Sequence, residues 1–123
     1  IYTCMGNLNK ALEFYDNYFK LSKELYKSHP ENVSFKNGLA ISYEKLGETY
    51  NSLGNYQSAL KFLEEDLALT KGLYADHPEN VSFKNGLAIS YEKLGETHSS
   101  LGNLAMASEF YKVGINIFTE LYD

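Results

Sequence analysis

A chain of 123 residues with 44% apolar side chains can bury one domain core and is too short for two large ones. Its 11 cationic side chains are all lysine, set against 16 carboxylates. A net charge of −5 without one guanidinium argues against a nucleic-acid surface, which needs clustered basic residues.

No apolar run reaches membrane-span length. The one cysteine, Cys4, cannot close an intramolecular disulfide, so the fold needs no oxidising compartment, and the expected location is cytoplasmic. The chain opens at Ile1 without an initiator methionine and reads as a piece of a longer protein.

In chain order, residues 4–30 are the first of three related stretches; 52–78 and 100–123 are the others. Between them, "PENVSFKNGLAISYEKLGET" occupies residues 30–49 and recurs without a substitution at 78–97, an offset of 48 residues. Self-similarity at such a period signals a stacked array. The chain thus divides into a partial unit (1–29), a full unit (30–77) and a nearly complete one (78–123).

Each unit reads as two helices. Phe35, Leu39, Tyr43, Leu46, Tyr50 and Leu53 recur every three or four residues, one stripe of a helix over about 33–52. Asn37-Gly38 and Asn85-Gly86 are turn signals inside that span, yet the expectation is a continuous helix with a weak point. Gly54-Asn55 ends it, because glycine accepts the left-handed cap.

A second helix starts near Tyr56 and carries Ala59, Leu60, Leu63, Leu67, Leu73 and Tyr74, stopping before Pro78. Gly47 and Gly95 flank the apolar stripe. With Ala40 and Ala59 they remove bulk where two backbones approach, so a large side chain there should cost more than helix propensity alone. The last helix, Leu104 to Tyr122, is apolar around much of its circumference, which predicts self-association through it.

The stretch "YEKLGETYNSLGNYQSALKFL" resembles the tetratricopeptide repeat. The residues carrying the likeness are Tyr43, Leu46-Gly47, Tyr50, Gly54, Tyr56 and Ala59, with Leu63 in place of the usual aromatic. The next copy keeps Tyr91, Leu94-Gly95, Gly102 and Ala107 but has His98 and Leu104 where tyrosine is typical; the opening fragment keeps Gly6, Leu8, Ala11 and Tyr15. The 48-residue period exceeds the usual 34, and the segment ending at His77-Pro78 is similar to the long second helix of kinesin light chains.

The resemblance implies an all-α fold: a right-handed superhelical array of antiparallel helix pairs that binds proteins or peptides and has no activity of its own. Asp66 stands where the family has a small residue, which leaves open how tightly the units pack.

Residue chemistry points away from catalysis. His29 and His77 precede equivalent prolines at helix C-termini, where the dipole favours histidine, and His98 replaces Tyr50 of the preceding unit and should pack. No histidines sit at metal-ligand spacing, no glycine motif cradles phosphate, and no nucleophile–base pair is visible, so neither enzyme activity, metal nor cofactor is expected.

Opposite the core stripe, the first helix collects Asn37, Ile41, Glu44, Lys45, Glu48 and Asn51. The second copy repeats them as Asn85, Ile89, Glu92, Lys93, Glu96 and Ser99. Stacked units would set these faces side by side along a concave surface.

Glu44 and Glu48 are like charges one turn apart, and Ile41 is apolar among polar neighbours. The candidate partner is a protein or peptide segment with Lys or Arg and one apolar anchor, neither nucleic acid nor membrane. The alternative is that Lys45 and Lys93 screen the acids while Ile41 packs on the adjacent unit. At the level of the whole chain, a peptide-sensing regulatory module and a ligand-free spacer also remain open.

Overall fold

The computed structural model describes residues 2–122, with side chains from Gly6 to Tyr122; Cys4 lies outside the described side chains. Five helices follow one another: α1 (Tyr2–Ser28), α2 (Val33–Ser52), α3 (Tyr56–Asp76), α4 (Val81–Ser100) and α5 (Leu104–Tyr122). There is no strand among the described residues. Each helix packs on the one before and the one after it, and the short connections reverse the chain every time.

Local chemistry sets the helix ends. Asn32 and Asn80 cap α2 and α4, each side-chain oxygen accepting the N–H three residues on, from Phe35 and Phe83, at 3.0 Å. His29 and His77 then stand edge-on to those same phenylalanines, with ring centroids 5.6 and 5.7 Å apart. Gly54 and Gly102 follow the C-cap residues Leu53 and Leu101 of α2 and α4 with φ of +82° and +84°, a left-handed backbone that a side chain would strain. Asn55 caps α3 by accepting from the Ser58 N–H at 3.3 Å.

The turn signal at Asn37-Gly38 does not interrupt α2, which runs through it unbroken. The expectation of a continuous helix stands.

The buried face of α2 is wider than one stripe. Leu39 and Leu46 are buried as expected, but so are Ala40, Ser42, Gly47 and Thr49. The cause is tertiary: α2 lies against both α1 and α3, so two flanks are covered. Its buried hydroxyls stay satisfied by bonding back into the helix, Ser42 to the Leu39 carbonyl at 2.7 Å and Thr49 to the Lys45 carbonyl at 2.8 Å. The deepest apolar cluster joins Ala59 and Leu63 of α3 to Leu94 of α4, with Tyr50, Leu60, Leu67 and Phe110 around it.

Aromatic contacts recur at the 48-residue offset. Tyr43 lies 6.1 Å from Phe62 at an interplanar angle of 35°, and Tyr91 lies 6.1 Å from Phe110 at 35°. Tyr50 stacks on Phe62 at 5.5 Å, and His98 stacks on Phe110 at 5.4 Å in the matching place. The packing role expected for His98 is therefore met.

The helices form two rows. α2 approaches α4 directly, whereas among the described residues neither α1 and α3 nor α3 and α5 come within 8 Å between Cα atoms. The row containing α2 and α4 is the closer and hence the inner one; α1, α3 and α5 splay apart on the outside.

Candidate interaction surface

Helix α2 positions Asn37, Ile41, Glu44, Lys45, Glu48 and Asn51, and α4 positions Asn85, Ile89, Glu92, Lys93, Glu96 and Ser99. The inner row brings part of this set together. Lys93 reaches across from α4 to Glu48 of α2 at 3.7 Å, so these two inner faces adjoin. Ile41 remains 38% exposed, while Ile89, Asn37, Asn85 and Lys45 are half-buried.

The four glutamates divide. Glu44 and Glu48 are half-buried along the seam with α4, whereas Glu92 and Glu96 are exposed, and their charges add to the burial that pushes the Tyr111 hydroxyl of α5 up. A single acidic strip is thus replaced by two environments, because α4 covers the Glu44 and Glu48 side of α2, and among the described residues no further inner-row helix covers the same side of α4.

Burial pushes the Glu44 carboxyl above its ordinary range. Lys45 opposes the shift, Glu48 adds to it and Lys93 opposes it again. Asn51, at the end of the same face, carries a buried side-chain oxygen with no hydrogen-bond partner.

Sequence reasoning placed Asp66 only as a departure from a small residue. In the structure it is the buried polar centre of the junction between α3 and α4, 2% exposed. Ser90 of α4 donates to its Oδ2 at 2.9 Å, and the Thr70 and Ser90 hydroxyl oxygens lie 3.3 Å apart. Burial raises the Asp66 carboxyl to about 7; the Ser90 hydrogen bond opposes the rise and the Glu44 charge adds to it.

Packing between units is close here, since a polar contact crosses the junction in place of a small side chain. No signal in the sequence marks the pair, because Ser90 and Asp66 lie 24 positions apart and no spacing rule links them. The residue 48 beyond Asp66 is Gly114, where an added Cβ would stand 3.3 Å from the Ala88 carbonyl oxygen.

Among the described residues no three His, Cys, Asp or Glu side chains converge as metal ligands would. No described helix is long and apolar enough to cross a membrane.

The array of helix pairs, the glycine at each close approach and the repeated aromatic contacts meet one further finding: the tetratricopeptide repeat family model matches residues 38–120. The chain belongs to the tetratricopeptide repeat family. No curated protein and no solved structure matches it. In this tetratricopeptide chain the match spans α2 to α5 and so takes in every residue of the inner row from Ile41 onward. Membership suggests a protein-interaction scaffold; which face binds, and what, must be argued from the residues.

Proposed function

We propose that this chain is a non-catalytic scaffold whose inner face, along α2 and α4, holds a protein or peptide segment carrying Lys or Arg and one apolar anchor. The observation that carries the reading is the seam itself: Ile41 is left 38% exposed beside Glu44, a carboxyl that burial and Glu48 make costly to ionise. A cation brought by a partner would offset that cost, and an apolar side chain would cover Ile41. The helix pairs winding into a right-handed superhelix would extend the face into a groove. A cytoplasmic location is part of the same reading, on the ground of the lone cysteine.

Titration with a pool of Lys- and Arg-rich peptides checks it. Binding should weaken about tenfold or more in the double variant Ile41→Asp/Ile89→Asp, as loss of a central apolar anchor does. Equal binding by the variant and the parent chain would remove the inner face from consideration.

Self-association through α5 belongs to this proposal as well. Leu104 and Ile115 are 69% and 60% exposed on one flank of the helix, and Met106 and Val113 are exposed on the opposite flank. Sedimentation velocity should show an s-value that grows with concentration and returns to the monomer in Leu104→Lys/Ile115→Lys. A parent chain that sediments as a monomer at every concentration ends that part of the proposal.

A further inference from the structure

The splay of the outer row leaves a groove between α1 and α3, floored by α2. Two adjoining cavities of about 370 and 470 Å³ share Lys23, Tyr43 and Glu65 in their linings, so they form one trough. Its floor is aromatic and aliphatic. Tyr43 lies 5.0 Å from Phe19 and 6.1 Å from Phe62, ring to ring, and Leu39 and Leu69 continue the apolar surface.

Its cationic side chains are Lys23 and Lys27 from α1 and Lys61 from α3, all exposed. Glu65 is the one carboxylate in the lining. Among the described residues none of the three lysines forms an ion pair, although Lys20 of α1 pairs with Asp16 at 3.1 Å. Lys23 lies over the Phe19 ring, 5.5 Å from its centroid, which holds its charge at the groove edge.

The molecule supplies its own comparison. At the matching positions between α3 and α5 the floor residues are similar: Tyr91 stands for Tyr43, Leu87 for Leu39 and Phe110 for Phe62, while Leu67 replaces Phe19 and Ile117 replaces Leu69. Its rim is different. Lys71 replaces Lys23, but Ala75 stands in place of Lys27 and Glu109 in place of Lys61. The α1–α3 rim therefore sets three lysines against Glu65, whereas the matching positions set Lys71 against Glu109, so the excess of positive charge belongs to the first trough, although Lys71 also lies over a ring, 5.8 Å from the Tyr91 centroid.

We infer that the outer groove between α1 and α3 is a second docking site, for an acidic peptide segment that seats one aromatic or branched side chain on Tyr43, Phe62 and Leu69 and sets its carboxylates against Lys23, Lys27 and Lys61. The trough has the size of a ligand site, and three free ammonium groups around an apolar floor select anionic over cationic chains. This local excess of lysine runs against the chain's net charge of −5. The site lies on the opposite row from the inner face, so the scaffold could hold a basic segment on one side and an acidic one on the other.

The experiment is fluorescence anisotropy of the 123-residue chain with a short labelled peptide of Asp and Glu around a single Phe. Lys23→Glu/Lys27→Glu should weaken binding about tenfold or more, and Lys61→Glu should weaken it severalfold, with circular dichroism unchanged in each. Lys71→Glu, in the matching trough, should leave it as it was. Replacing the peptide's Phe by Ala should also weaken binding, since counter-charge alone does not use the floor.

Equal binding across the lysine variants overturns the site. So does equal binding of the Phe and Ala peptides, which would reduce it to a diffuse charge effect. Lysine-dependent capture of phosphatidylserine vesicles or of single-stranded RNA, with no peptide binding, overturns it in favour of a different anionic partner. Inner-face variants Ile41→Asp/Ile89→Asp should not alter this binding, so failure of one surface is read separately from failure of the other.

Discussion

Gly47→Leu is expected to destabilise the fold by about 3 kcal/mol or more, a large part of the total stability of a chain this size. A Cβ built on Gly47 would stand 2.6 and 2.7 Å from Cγ and Cδ2 of Leu63, and 3.3 Å from the Ala59 carbonyl oxygen. Leu63 is itself buried in the α3–α4 cluster and cannot withdraw, and the Ala59 oxygen is backbone. Helix propensity favours replacing glycine by about 1 kcal/mol, so even Gly47→Ala, which gains that amount, should lose about 1–2 kcal/mol net.

Gly95 occupies the same place in an identical helix, yet its neighbour is the half-buried Tyr111 ring at 2.9 Å. A ring with one open side can rotate, so Gly95→Ala should fall within about 1 kcal/mol of the parent. Gly86, with nothing within 4 Å of an added Cβ, is the control and should gain about 0.5–1 kcal/mol as alanine. Urea midpoints compare the three. Similar losses at Gly47 and Gly95 would show that the shared helix sequence, not the partner helix, governs the cost.

Asp66→Asn is expected to flatten the dependence of stability on pH. The folded-state value of about 7 lies above the ordinary 3.8, so the folded chain holds a proton that the unfolded chain releases between those values. Below pH 3.8 both states hold it and the group costs nothing. As pH rises towards 7 the unfolded state is increasingly favoured, and the penalty is complete above that. At about 1.4 kcal/mol per unit, the full effect approaches 4 kcal/mol.

The side chains around Asp66 explain how the neutral form is accommodated. Ser90 donates to the Oδ2 of the carboxylate, but its oxygen also lies 3.0 Å from the Gly86 carbonyl. A protonated Asp66 can therefore donate to Ser90 while Ser90 turns its proton to Gly86. The stability difference between Asp66→Asn and the parent chain should shift by about 4 kcal/mol in favour of the variant between pH 4 and pH 8, read from urea titrations at each pH. A constant difference across that range would mean that Asp66 does not change its protonation there.

The inner face was legible as a list of residues and not as an arrangement. Periodicity put Ile41, Glu44 and Glu48 on one side of a helix, and the structure keeps them there. That Glu48 meets Lys93, and that the Glu44 charge reaches Asp66, depends on how α3 and α4 pack against α2. No residue in α2 specifies that packing. The division between Glu44/Glu48 and Glu92/Glu96 escaped the sequence for a related reason: the two helices carry the same letters around both pairs, and only their different neighbours distinguish them.

By itself the sequence determined the helices, their ends and their pairing, because these arise from interactions within a few residues. Asn32 and Asn80 cap the starts of α2 and α4, Gly54 and Gly102 close their far ends, and apolar spacing chooses the face that turns inward. Tertiary structure alone decided the buried carboxyl at the α3–α4 junction, the steric difference between Gly47 and Gly95, and the lysine-rimmed trough between α1 and α3. Each of these joins residues from helices whose separation is fixed by packing, and packing sums over many contacts that no local pattern in the chain records.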